Sequence, residues 1–312
     1  MPDATYQPRR TARSLFVPLR GLDYHCWVWG DPARATLQRP VLVAMHGWMD
    51  IGASFQFMVD AMAEDRCVIA ADWRGFGLTA VPPVDSYWFA DYLGDLDALL
   101  RAPALGLDDD TPLDLLGHSM GGNVVMTYAG ARPARMRRLV NLEGFGLPGA
   151  KPDNAPMRMA QWLDELMQPQ ALRPLASADA VAQRLLHNNP RMDPAHAAWV
   201  AQHWAAPGAG GQWHIRGDAA HKRVNPVPYR RDEALAFWGA IEAPTLWVEG
   251  SLTRIEKNWD GRYTREDFEQ RLAAVRRLQR TVLPDAGHML HFDQPQALAA
   301  VIEGFLDAPD LA

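Results

Sequence analysis

From Ser14 to Leu19, and again from Leu22 to Trp29, apolar and polar residues alternate. A period of two predicts a pair of antiparallel strands that turn at Arg20-Gly21. Beyond a polar, Pro-bounded loop the pattern changes. Val41–Met45, Cys67–Ala71, Leu113–Leu116 and Met136–Leu142 are short, largely apolar runs, as expected of strands buried on both faces of a parallel sheet. Segments with helical spacing separate them: one capped by Ser54 and running to about Glu64, one from Tyr87 to Leu100, and one from the end of the third run to about Arg132.

The alternation then breaks. From Leu147 to about Ile241 no run has convincing strand length, and helical segments are predicted near 156–167, 178–188, 194–205 and 231–241, with joints such as Pro207 to Gly211. Strand and helix signals resume with Thr245–Glu249, a helix near 264–275, a strand over Gln279–Leu283 and an amphipathic helix from about Pro295 to Leu306. Strands alternating with helices imply a mostly parallel sheet with helices on both faces. Right-handed crossovers then bring the strand carboxyl ends to one edge. His46-Gly47-Trp48, Asp72, Ser119, Glu143, Gly250 and His288 should converge there. The organisation expected is an α/β core over 14–146 and 242–312, a helical cap over 147–241 lying across that edge, and a loose tail over 1–13.

Composition narrows the partners. A formal net charge of −6 gives no electrostatic reason to expect nucleic acid or an anionic membrane. The Arg132–Arg138 cluster ends a helix, where cations suit the dipole, and reads as a solvated face. Neither a secretory leader nor a membrane span is legible. Cys26 and Cys67 both lie in strand-like runs and read as buried small hydrophobes. Together these imply a cytoplasmic protein. His196 and His203 stand seven apart in a cap helix without a third ligand at matching spacing, so no metal is expected.

The chemistry concentrates at Gly117-His118-Ser119-Met120-Gly121, which follows an apolar strand and opens a helix. A strand-to-helix turn that sharp strains its central residue and needs glycines around it. It presents the Ser119 hydroxyl beside the first amides of the helix, beginning with Met120 N–H. A serine hydroxyl needs a base and something to orient that base. His288 is the candidate base: it follows the last strand, late in the chain, with His291 as the runner-up. For the acid, the turn after Gly250 offers no carboxylate before Glu256, whereas Glu143 stands at the tip of the strand ending at Leu142. Glu143 is the reading adopted; Glu249, Glu256 and the more remote Asp285 are the alternatives. Gly47 lets the turn after Met45 fold back, so that Trp48 N–H joins Met120 N–H as a second oxyanion donor.

His46-Gly47-Trp48, Asp72-Trp73-Arg74-Gly75-Phe76-Gly77, Gly117–Gly122 and Gly287-His288, in that order, resemble the α/β-hydrolase fold superfamily, in particular its lidded serine hydrolases and serine hydrolase-like proteins. Leu142-Glu143-Gly144-Phe145 is also similar to the strand end that carries the acid in some haloalkane dehalogenases. Those enzymes have aspartate where this chain has Ser119, a departure that favours acyl transfer. The resemblance implies hydrolysis of a small to medium hydrophobic or aromatic ester through an acyl-enzyme, with no cofactor. A lactonase, carbon–carbon hydrolase or amidase on the same three residues, and a non-catalytic ligand-binding protein, are the alternatives. A homodimer stays open.

Overall fold

A computed structural model describes residues 5–109 and 113–309. Met1–Ala4 of the expected tail and Asp110 of the acidic loop lie outside the described residues.

Strands β1 (Arg13–Leu19) and β2 (Leu22–Trp29) form the expected antiparallel pair. They are followed by β3 (Leu42–Met45), β4 (Val68–Ala71), β5 (Leu113–His118) and β6 (Met136–Leu142). A small hairpin, β7 (Ala205–Pro207) with β8 (Trp213–Ile215), precedes β9 (Thr245–Gly250) and β10 (Leu278–Leu283). Eight strands make one sheet in the order β1-β2-β4-β3-β5-β6-β9-β10, in which every pair from β4 to β10 is parallel. Every residue of β3, β4, β5 and β9 is buried, which is why these runs carry no alternation. Helices Phe89–Leu99 and Met120–Ala131 contribute to one apolar layer, and helix Pro295–Leu306 to the other.

Four sequence expectations are corrected. Ser54 does not cap a long helix; it sits inside the 3₁₀ turn Gly52–Phe55, and a short α-helix follows over Gln56–Ala61. The 1–13 tail is not loose from Tyr6 on: the Tyr6 hydroxyl donates to Asp60, whose carboxylate also accepts the Arg9 and Arg10 amides at 2.8 and 2.7 Å. The Tyr6 ring packs edge-on against Phe57, His196 and Trp199, so the tail bridges core and cap. The helix Arg231–Ala240, assigned to the cap, belongs to the core. Its Phe237 carbonyl lies so close to Gly130 that any side chain there would collide, and its Trp238 is buried beside Trp247 of β9. Finally, the arginine cluster is not a solvated face throughout. Arg137 makes a two-pronged pair with buried Asp114, and Arg138, 3% exposed, lies over the Phe305 ring. Two neighbouring strands carry their charges between sheet and helix, where only paired charges are tolerated.

The rest of the inserted segment packs on residues that follow β3, β4 and β10. Helices Ala178–Asn188 and Pro194–Trp204 share an apolar cluster with Ile51, Phe57 and Phe292 of the core. Its far end hooks over the Asp72–Gly77 turn: Gly77 N–H donates to Arg216 O at 2.9 Å and Asp218 N–H to Gly75 O at 2.8 Å. The His221 ring is sandwiched between Phe76 and Tyr87, with centroids 3.8 and 3.5 Å away.

Candidate active site

The corner after β5 forms as its sequence requires. Ser119 has φ +52° and ψ −114°, a strained backbone, and its N–H donates to Leu142 O at 2.8 Å. Gly117 and Gly121 explain how strand and helix approach so closely. A Cβ at Gly117 would strike the Gly121 carbonyl, and one at Gly121 would strike the Met45 carbonyl. The second contact draws the helix start against the end of β3, so Met120 N–H and the 46–49 turn share one corner.

That turn is held by buried histidine chemistry. His46 Nε2 accepts the Trp73 amide at 2.9 Å, which leaves the ring proton on Nδ1 to donate to Gly47 O at 2.7 Å. Gly47 C=O and Trp48 N–H belong to the same planar peptide, so fixing the carbonyl fixes the direction of the N–H. Burial pushes the His46 pKa down, which keeps this tautomer neutral. Trp204 of the cap adds a second restraint: its indole N–H donates to Met49 O at 2.9 Å. Met49 itself is left-handed, at φ +56°.

His288 meets both predicted partners. Its Nε2 lies 2.9 Å from Ser119 Oγ, and its Nδ1 lies 3.0 Å from Glu143 Oε2. Glu143 is 1% exposed and, like Ser119, left-handed, at φ +58°. Gly250 N–H donates to its Oε1 at 2.7 Å, and Thr253 Oγ–H to its Oε2 at 2.9 Å. A buried carboxylate with three hydrogen-bond partners is held in a single orientation. The alternative acids lie elsewhere. Glu249 pairs with Arg265 at 2.7 Å and Arg280 at 3.6 Å; Glu256 accepts the Arg265 amide; Asp285 is exposed. His291 faces Asp50 rather than Ser119.

Sequence reasoning missed two supports. Thr253 gave no signal, because a threonine three residues past a strand is unremarkable until the neighbouring strand's carboxylate arrives beside it. His118, inside the serine pentapeptide, is fully buried and its Nε2 lies 2.8 Å from His288 O, so it grips the backbone of the candidate base. Its pKa is driven well below the ordinary imidazole value, mainly by burial.

A second Ser–His–Asp row is also present. Ser14 Oγ lies 2.8 Å from His25 Nε2, and His25 Nδ1 lies 2.8 Å from Asp72 Oδ2. Ser14, however, is the second residue of the edge strand β1, not part of a strand-to-helix corner. Asp72 spends its remaining capacity on the Gly52 and Leu78 amides, at 2.7 and 2.9 Å. That row fastens β2 to the Asp72 turn.

Three tryptophans of the inserted segment fasten it to the core. Trp162 donates to Ser86 Oγ at 2.7 Å, Trp204 to Met49 O, and Trp199 packs on Phe57 and Tyr6. Trp48 is different: at 51% exposed, it stands open beside the serine corner.

The α/β hydrolase fold family matches residues 40–295, a stretch that contains every strand from β3 to β10 and all three residues of the row. The chain belongs to that family. This α/β hydrolase is 24% identical to a serine hydrolase-like protein of Dictyostelium discoideum, over 94% of its own length and 81% of the relative's. It is 25% identical to an sn-1-specific diacylglycerol lipase of Mus musculus, covering 86% of this chain and 81% of that one. Among solved structures, a thioesterase domain from the curacin biosynthetic pathway superposes with a TM-score of 0.79 at 25% identity, over 94% of this chain and 99% of that one. Among the described residues, no helix is long and apolar enough to cross a membrane.

Proposed function

We propose that this α/β hydrolase is a serine carboxylesterase acting on small to medium, hydrophobic or aromatic esters. The observation that carries the reading is the unbroken row Ser119 Oγ–His288 Nε2 (2.9 Å) and His288 Nδ1–Glu143 Oε2 (3.0 Å), anchored at a strained corner. Ser119 Oγ attacks the ester carbonyl as its proton passes to His288 Nε2. The oxyanion is met by Met120 N–H and Trp48 N–H, donors whose individual loss costs about 3–4 kcal/mol in related chemistry. Collapse expels the alcohol, which takes the proton from His288 and leaves an acyl-Ser119. His288 next deprotonates water, and the second tetrahedral intermediate releases the acid. Glu143 keeps Nδ1 protonated and stabilises the imidazolium. Every step uses groups supplied by the chain. The exposed Trp48 ring favours an apolar or aromatic substrate group at the mouth. By name, the lipase and thioesterase above act on carboxylic esters or thioesters, which supports acyl transfer over attack at other bonds.

A fluorophosphonate probe with peptide mapping tests this, together with turnover of p-nitrophenyl esters and a matched acyl thioester. Ser119 should be labelled and Ser14 should not. Ser119→Ala should abolish both labelling and turnover. An intact protein that neither labels at Ser119 nor cleaves any ester overturns the reading; turnover of the thioester alone redirects it to thioester hydrolysis.

A further inference from the structure

Beside the serine corner lies a buried cluster through which no step of the ester chemistry passes. Asp50 closes the turn after β3, His118 precedes the serine, and His291 follows His288 by three residues. Their ligand-type atoms all lie within 4.8 Å of one another, and the three residues are 6%, 1% and 0% exposed. We propose that Asp50, His118 and His291 form a binding site for a divalent transition-metal ion of the zinc type.

The donors carry the argument. His118 Nδ1 and both ring nitrogens of His291 are buried without a hydrogen-bond partner, whereas the neighbouring His46 has both of its ring nitrogens engaged. A buried polar atom without a partner is uncommon and calls for one. His291 Nε2 lies 3.5 Å from Asp50 Oδ2 yet makes no hydrogen bond to it. That separation is close to the edge of a tetrahedron around zinc, about 3.3 Å for bonds of about 2.05 Å. The surroundings also suit a metal. His118 Nε2–H donates to His288 O at 2.8 Å, leaving the Nδ1 lone pair free, and Ser54 Oγ–H donates to Asp50 Oδ2 at 2.9 Å. A ligating imidazole that gives its other proton to a carbonyl, and a ligating carboxylate that is itself hydrogen-bonded, are the usual outer contacts of such sites. Two imidazoles with one carboxylate select zinc, cobalt or nickel over calcium or magnesium, which take oxygen ligands.

Occupancy bears on the reaction. To bind, the three donors must draw together, and His118 is joined covalently to Ser119 and by a hydrogen bond to the His288 backbone. The ion therefore shifts the serine–imidazole alignment and lowers kcat, with little effect on KM.

Binding is read without turnover, in the full-length Ser119→Ala chain, so its failure is separate from failure of the esterase reading. Zinc is titrated against a chromophoric chelator with Ser119→Ala alone and combined with Asp50→Asn, His291→Gln or His288→Gln. One zinc per chain is expected, weakened at least about tenfold by Asp50→Asn and by His291→Gln, and unaffected by His288→Gln. X-ray absorption of the loaded Ser119→Ala chain should show two imidazoles and a carboxylate; it serves also if either variant fails to fold. No stoichiometric zinc, zinc lost with His288→Gln but kept with His291→Gln, or a crystal structure from zinc-containing buffer with only an ordered water between the three residues, each overturns the proposal.

Discussion

At the scale of single residues, the site is a set of polar atoms whose partners come from different strands. Glu143 and Glu249 stand at the tips of adjacent strands, but only Glu143 meets His288, while Glu249 is neutralised by Arg265 and Arg280. Glu143→Gln should lower kcat about 10³–10⁴-fold with the fold retained, as losing the orienting acid does in such rows. Glu249→Gln should leave turnover near normal and show its effect in the melting temperature. Steady-state kinetics beside thermal melts separate the two. Thr253 supplies a hydrogen bond to the same oxygen that His288 uses. Thr253→Val should remove a contact to a charged group of about 1.5–3 kcal/mol, lowering kcat, and Thr253→Ser should restore most of it. The serine and histidine were legible because their local patterns are strict: a glycine-flanked serine between strand and helix, and a histidine after the last strand. Thr253, His118 and Ser14 were not, since what gives each its role is a partner 110, 170 or 11 positions away.

Elements rather than residues decide which way the amides of the 46–49 turn point, the proposed oxyanion donor Trp48 N–H among them. The 46–49 turn is clamped by His46 from within the core and by Trp204 from the cap helix Pro194–Trp204. Trp204→Phe keeps the ring but removes the donor to Met49 O. It should reduce kcat several-fold to about tenfold, the size of one neutral hydrogen bond of about 1 kcal/mol, with a smaller change in KM. An equal loss in Trp204→Phe and an unrelated cap variant would assign the effect to cap packing instead. Helix boundaries in the cap were read to within a residue or two from periodicity alone. What periodicity did not reveal is that helix Arg231–Ala240 packs on Met120–Ala131. Both a cap helix and a core helix show one apolar face, and the sequence does not say which surface that face meets.

For the molecule as a whole, the cap is tied to the core by aromatic and histidine contacts that respond to pH. Burial pulls the His221 pKa down to about 4, against the partial opposing pull of Asp218. Between about pH 6.5 and pH 4 the folded state therefore holds fewer protons than the unfolded chain, and stability falls as the pH drops through that window. The slope from this one group is at most about 1.4 kcal/mol per pH unit. Thermal melts between pH 7 and pH 4.5 should show a loss that is smaller in His221→Phe, which keeps the stacking between Phe76 and Tyr87. Hydrogen exchange should place the first opening in the segment 216–224, which hooks over the Asp72–Gly77 turn. An identical pH slope in His221→Phe would assign the acid sensitivity to other groups.

The sequence by itself determined the parallel sheet, the strained serine corner and the convergence of strand ends, because these follow from local rules: runs buried on two faces, glycines where backbones touch, and a fixed crossover hand. The sequence favoured Glu143 for its place at a strand tip, but tertiary structure decided that it rather than Glu249 reaches the imidazole, which arginines lie buried against Asp114 and Phe305, and that a tail expected to be loose is docked from Tyr6 onward. Each of those outcomes depends on how far apart polar atoms finish after packing. Such distances belong to pairs of residues remote in the chain, and no periodicity or motif encodes them.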